Sequence, residues 1–309
     1  MAHGDTTIST FEFFDMIPDA EAARLYLEER RWHGSPTCPL CGAFEKITAR
    51  TGKRIGYYRC HDCAGEFTVR TGTIFERSHV PLNKWVYAMY LVVTARKGIS
   101  SLQLSKEIGV TQKTAWFMLG RLREAVGDDD DTLSGIVEID ETFIGGKEAN
   151  KHESKKQHNG RGPVGKTAVL GMRQRGGRSK AQPITGTDGE TLRETIRQHV
   201  EPGSTVYTDE HRGYSNLHDY SRGTVNHGAK EYVGAGDIHI NSAESMWAVL
   251  KRSIYGTWHH VSVKHLERYV NEATFRLNEG NVQYHTLDRL SAFIESAFGA
   301  RITYEELTA

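Results

Sequence analysis

The spacing of apolar residues changes period several times along the chain, and each change marks a different kind of element. From Pro81 to Arg96 apolar residues recur at helical intervals, with Trp85, Met89, Val92 and Val93 on one face. Gly98 and Ser100 break that run. Ser101 to Ile108 predicts a short helix, Gly109 a turn, and Thr111 the cap of a second helix reaching about Val126. Leu104, Ile108, Val110, Ala115, Met118 and Leu122 would form the inner side. Helix, glycine turn, helix is a helix-turn-helix pattern. Gln112, Lys113 and Arg121 would then point outward, where a second helix can reach nucleic-acid edges and phosphates. An ordinary helical hairpin with a solvated polar face has the same pattern.

From Gly135 onward, strands alternate with helices. Residues 136–144 read as a strand, Lys166 to Arg173 and Ala181 to Thr185 as two more, and Leu192 to Val200 as a helix. Thr205 to Asp209 is a further strand that stops on its aspartate, and Asn241 to about Tyr255 is a helix. This order matches the ribonuclease H-like plan, an α/β domain whose mixed sheet has flanking helices. That plan puts one acid mid-strand on the first strand, one at the end of the fourth and one on a later helix. Asp140, Asp209 and Glu244 stand at those places. Three carboxylates so arranged can hold divalent ions at a phosphodiester, and an oxygen-only donor set suits Mg²⁺ or Mn²⁺.

Neighbouring residues complicate the assignment. Glu138 shares a strand face with Asp140, whereas Glu141 points to the other. Asn241, Glu244, Trp247 and Lys251 fall on one helix face, with Lys251 two turns after Glu244 and able to grip a phosphate. A salt-bridged face with a packed Trp is the plain alternative.

All four cysteines lie close together, as Cys38-x2-Cys41 and Cys60-x2-Cys63. Two such knuckles supply four thiolates for a closed, structural Zn²⁺ site. The intervening Ile47–Arg50 and Arg54–Arg59 read as strands around Thr51-Gly52-Lys53, with Glu66–Val69 as a third, which is a zinc ribbon. Two disulfides are the alternative, disfavoured in a reducing compartment.

Charge sharpens this picture. The chain is formally neutral, but residues 37–126 carry 14 Lys and Arg against 6 Asp and Glu, a local +8 balanced by −8 elsewhere. A basic front suggests a polyanionic partner. Asp128 to Asp131 reads as a solvated linker. The loop from Lys147 to Lys166, with Lys151, Lys155, Lys156 and Arg161, is either a phosphate-binding loop or a solvated hairpin tip. The apolar run near Trp85 is too short to span a bilayer, and the first ten residues lack the basic start and apolar core of a signal peptide, so a cytosolic location is expected.

Four stretches together resemble the ISXO-type bacterial insertion-sequence transposases, also called the fifteen-ninety-five insertion-sequence family. They are the ribbon starting Cys38-Pro39-Leu40-Cys41, the run from Val137 to Lys147, Tyr207-Thr208-Asp209, and the run from Asn241 to Arg252. The segment Gly256 to Ser262, followed by His265-Leu266 and Tyr269-Val270, is also similar, so the resemblance spans about Phe11 to Asn278. It implies an Asp-Asp-Glu triad with a following Lys, falling on Asp140, Asp209, Glu244 and Lys251. Some relatives use Asn as third ligand, which keeps Asn241 beside Glu244, although the seven-residue interval to Lys251 favours Glu244. The resemblance further implies double-stranded DNA partners (terminal inverted repeats and target), a homodimer in the DNA complex, and a bacterial, nucleoid-associated location.

The expected organisation is a helical lead-in over residues 1–36, the ribbon over 37–78 and the helix-turn-helix-like segment over 79–127. An acidic linker over 128–135, the catalytic domain over 136–282 and a helical tail over 283–309 complete it.

Overall fold

The computed structural model of the protein describes residues 7–127, 131–146, 152–156, 163–225 and 238–308. The chain forms two compact units, residues 1–128 with 279–309, and residues 129–278.

The first unit opens with helices α1 (Thr10–Met16) and α2 (Ala20–Trp32). Strands β1 (Ile47–Ala49), β2 (Tyr58–Cys60) and β3 (Glu66–Phe67) follow, forming an antiparallel sheet in the order β1-β2-β3. The second strand starts later than expected because Gly52–Arg54 closes a tight 3-10 turn and Gly56 takes φ +84°. The ribbon docks on α2 through an aromatic cluster of Trp32, Tyr58 and Phe67, and Tyr58 Oη donates to Glu28 Oε2 at 2.8 Å.

Helices α3 (Leu82–Thr94), α4 (Ser101–Ile108) and α5 (Gln112–Ala125) come next. Their ends follow from local chemistry. Ser100 caps α4 by accepting from Gln103 N, Gly109 ends it in the left-handed region, and Thr111 caps α5 by accepting from Thr114 N.

The outward placement expected of Arg121 is overturned. It is 7% exposed, and its guanidinium donates to Ile74 O at 2.6 Å and Glu76 O at 2.9 Å. It does so in company. Arg31 donates to Val69 O and Thr71 O, and Arg70 to Ser78 O and Val80 O. The stretch after the ribbon has no ladder of its own, so its buried and part-buried carbonyls need such donors. Gln112 and Lys113 are exposed, as expected.

The second unit is a three-layer α/β structure. Strands β4 (Ile136–Ile144), β5 (Thr167–Gln174) and β6 (Ser179–Ile184) form an antiparallel meander. Helix α6 (Gly189–His199) crosses to β7 (Thr205–Thr208), which runs parallel to β4, and β8 (Ser221–Thr224) lies parallel beside β7. The sheet order is β6-β5-β4-β7-β8. Helices α7 (Asn241–Ser253) and α8 (Leu266–Leu277) complete the unit.

Alternation along β4 sorts the two faces. Val137 and Ile139 pack with Leu192, Ile196 and Tyr214, while Ile144 packs with Leu250, Leu266 and Val270. The even-numbered side chains, Asp140 among them, therefore face α7.

The chain then returns to the first unit. Helix α9 (Thr286–Gly299) buries Phe293, Ile294 and Ala297, and α10 (Tyr304–Thr308) follows. Arg289 donates to Val93 O at 2.6 Å, and Ile74 N to Ala297 O at 3.3 Å. The C-terminal helical segment is thus core to the N-terminal unit. No described helix is long and apolar enough to cross a membrane.

Candidate functional site

Asp140 lies in the middle of the central strand. The β4–β7 register pairs Glu138 with Tyr207, and two residues further on it brings Asp209, just past the end of β7, level with Asp140. Asp209 is held by its surroundings. Its Oδ1 accepts from His211 N at 2.9 Å, and Arg222 and Thr208 both donate to its main-chain oxygen.

Asp140 Oδ2 accepts from Trp247 Nε1 at 2.8 Å. Opposite Asp140 on β5 stands Gly171, where a Cβ would come within 2.5 Å of the Trp247 ring. Only glycine leaves room for the indole to cross the sheet and reach the carboxylate. Burial pushes the Asp140 carboxyl up to about 7, against the Trp247 hydrogen bond and with help from the Glu141 and Asp209 charges.

On the opposite face, Glu141 Oε2 accepts from the buried Tyr214 hydroxyl at 2.5 Å. Burial raises the Glu141 carboxyl too. The Tyr214 hydrogen bond opposes that rise and the Asp209 charge adds to it. Asp140, Glu141 and Asp209 are thus close enough to feel one another, a charge cluster that a divalent cation would relieve.

Glu244 is exposed in the first turn of α7, one turn before Trp247, with Asn241 exposed one turn earlier. Lys251, half-buried, lies in the last turn of the same helix. Among the described residues, three or more ligand atoms come within 4.8 Å of one another at the four cysteines alone, so Asp140, Asp209 and Glu244 are not drawn together to that distance. Glu138, the rival on the Asp140 face, is fully buried and held by other partners: Arg175 Nε at 2.8 Å and Ser242 N at 2.7 Å.

The cysteine centre fits zinc. Cys38 and Cys63 Sγ are 3.7 Å apart, as are Cys41 and Cys60. Four sulfurs on a tetrahedral zinc at ~2.3 Å stand about 3.8 Å apart, whereas a disulfide brings its sulfurs to about 2 Å. Gly42 takes φ +80° at the first knuckle. At the second, a side chain on Gly65 would strike Leu40 and approach Cys63 Sγ.

The basic candidates divide. Lys113 lies 5.1 Å over the Tyr304 ring, and Gln112 donates to Ser101 Oγ. Lys156 pairs with Glu153 at 2.7 Å. Lys155 lies in a short 3-10 turn, and Lys147, Lys151 and Arg161 lie outside the described residues. Sequence reasoning missed the Trp247 and Tyr214 contacts and the role of Gly171. A glycine inside an apolar strand was the one available hint of close approach.

Comparison with known proteins agrees with this division. Residues 132–278 match the ISXO2-like transposase domain, and residues 18–66 match a transposase zinc-ribbon domain. An uncharacterized protein in transposable element ISH50 of Halobacterium salinarum is 32% identical over 248 residues, covering 76% of this chain and 83% of that protein. An uncharacterized transposase-like protein of Haemophilus influenzae is 26% identical over 102 residues, covering 32% of this chain and 80% of that protein. A crystal structure of a pre-cleavage Mos1 transpososome aligns over 95% of this chain and 96% of that one, at 11% identity and a TM-score of 0.21, too slight a likeness to bear on the fold.

Proposed function

The chain belongs to the ISXO2-like transposase family of insertion sequences, and on that premise we propose that it cleaves DNA at the ends of its element and joins them to target DNA through an Asp-Asp-Glu site. The observation that carries this is the β4–β7 register, which sets Asp209 beside Asp140, while Trp247 of the acid-bearing helix bonds to Asp140. The sheet order β6-β5-β4-β7-β8 supports a ribonuclease H-like domain, being third, second, first, fourth and fifth strand of the unit with the last two parallel to the first.

Asp140, Asp209 and Glu244 would hold the catalytic ions, with Asn241 the rival for the third place. The donors are all oxygens and repel one another, which suits Mg²⁺ or Mn²⁺. Such ions supply activation of an attacking oxygen and stabilisation of the leaving one at a phosphodiester. Trp247 keeps one Asp140 oxygen engaged and so fixes which way the other faces. Lys251 grips a backbone phosphate from the same helix. In the first unit, the zinc ribbon together with exposed Gln112 and Lys113 contacts the element ends, and Lys147, Lys155, Lys156 and Arg161 add phosphate contacts. Arg121 drops out of this set, since it is spent inside the unit. Two chains act together, because two ends must be joined.

The test is strand transfer of a labelled element-end oligonucleotide by the full chain with Mg²⁺ or Mn²⁺. Asp140→Ala, Asp209→Ala and Glu244→Ala should each lower joining by about a hundredfold or more. Intact joining in any of them removes that residue from the triad. Loss with Asn241→Ala but not Glu244→Ala would reassign the third ligand. Cleavage without joining by the wild type would make the protein a nuclease instead.

A further inference from the structure

We propose that Glu138 is a positioning residue that holds the first turn of α7 from the central strand and thereby sets where Glu244 stands relative to Asp140. The inference rests on the Asp-Asp-Glu assignment above.

Helix α7 begins without a cap of its own, because the preceding residue is Ile240 and makes no side-chain cap bond. Its leading N–H groups need an acceptor. Glu138 supplies it from across the fold. Ser242 N and Ala243 N donate to Glu138 Oε2 at 2.7 and 3.2 Å, and Ser242 Oγ donates to Oε1 at 3.2 Å. The carboxylate is 0% exposed, a costly placement for a charge unless it is paired. Arg175 Nε donates to Oε1 at 2.8 Å, His239 Nδ1 lies 3.2 Å from the same oxygen, and the helix N-terminus is itself favourable to an anion.

Both Glu138 oxygens are therefore engaged, which separates it from the metal-binding acids despite its shared face with Asp140. Its contacts and the Trp247–Asp140 bond are hydrogen-bonded attachments between the same strand and helix, beside the apolar packing of Ile144 on Leu250. Glu138 grips the first turn, and Asp140, two residues on, takes the Trp247 indole. Glu244 lies between Ala243 and Trp247, so it sits between the two attachments. With the indole bond alone, the first turn of the helix, ahead of the packed Met246 and Leu250, would be left without an anchor of its own. Two attachments hold its axial position and its rotation together.

The experiment uses the full-length protein and two readouts, Mn²⁺ binding by electron paramagnetic resonance and strand transfer at limiting Mg²⁺. Glu138→Gln keeps an acceptor for the helix N–H groups but loses the charge that pairs with Arg175. It is expected to weaken Mn²⁺ binding about 10–100-fold, with a parallel fall in transfer and unchanged DNA binding. In a Glu244→Gln background the same change should add less than about twofold, because its effect passes through Glu244. Wild-type metal binding by Glu138→Gln, or effects that multiply independently with Glu244→Gln, would overturn the proposal. Should Glu138→Gln fail to fold, Ser242→Ala removes only the hydroxyl bond. It should cost about two- to tenfold in Mn²⁺ binding, again only when Glu244 is present, and no loss overturns the proposal. Equal Mn²⁺ binding by the wild type and Asp140→Ala would instead defeat the triad assignment itself.

Discussion

The indole N–H of Trp247 donates to Asp140 Oδ2 at 2.8 Å, and it reaches that oxygen by crossing the one position on β5, Gly171, that has no side chain. A Cβ there would sit 2.5 Å from the ring. Gly171→Ala should therefore displace the ring, cost about 1–3 kcal/mol of stability and lower strand transfer. Trp247→Phe keeps most of the packing and loses only the donor, so it should lower transfer with a smaller change in melting temperature. Thermal melting alongside strand-transfer rates distinguishes the two, and a fully active Gly171→Ala would show that the indole need not be there.

The raised Asp140 carboxyl ties stability to pH in a stated direction. Its folded value, about 7, lies above its ordinary 3.8, so the folded state holds a proton that the unfolded chain has released. Metal-free stability from this group is complete below about pH 4 and is lost as pH rises through 7. Asp140→Asn should therefore raise the metal-free melting temperature at pH 8 by roughly 3 °C or more, and much less at pH 4. Calorimetry at the two pH values checks this. Metal binding needs the carboxylate, so half-saturating Mg²⁺ should fall as pH rises towards 7.

Zinc removal should act on the first unit. The ribbon has three short strands and a cluster of four sulfurs as its centre. A strong chelator, or Cys38→Ser, should unfold it and abolish binding to element-end DNA. Metal analysis should return one zinc per chain, and re-addition should restore binding. Wild-type binding by a zinc-free chain would detach the ribbon from DNA recognition.

Arg121 and Lys113 lie on one helix and should behave oppositely. Arg121→Ala strips one buried and one part-buried carbonyl of their donor and should cost roughly 2–4 kcal/mol in denaturant unfolding. Lys113→Ala should leave stability within about 0.5 kcal/mol, weaken DNA binding and reduce its salt dependence by about one phosphate contact. Equal effects of the two changes on stability would contradict their different burial.

Features carried by neighbouring residues were legible in the sequence by itself. The paired cysteine knuckles, the caps Ser100 and Thr111, the glycine turn at Gly109 and the alternation along β4 depend on chemistry within a few positions, and periodicity or spacing exposes such chemistry directly. The strand positions of Asp140 and Asp209 follow for the same reason. The polar edge strand β8 was not foreseen, since four residues of Ser-Arg-Gly-Thr carry no apolar alternation and pair only because β7 is there. Tertiary structure alone decided the rest. Arg121 turned inward because carbonyls 45 and 47 residues away needed a donor. The C-terminal helix entered the N-terminal core through residues nearly 200 positions apart. Glu138 and Asp140 look alike in sequence, two acids on one strand face. They were told apart only by what the fold brought against them, a helix N-terminus with an arginine for one, and an indole with a second aspartate for the other.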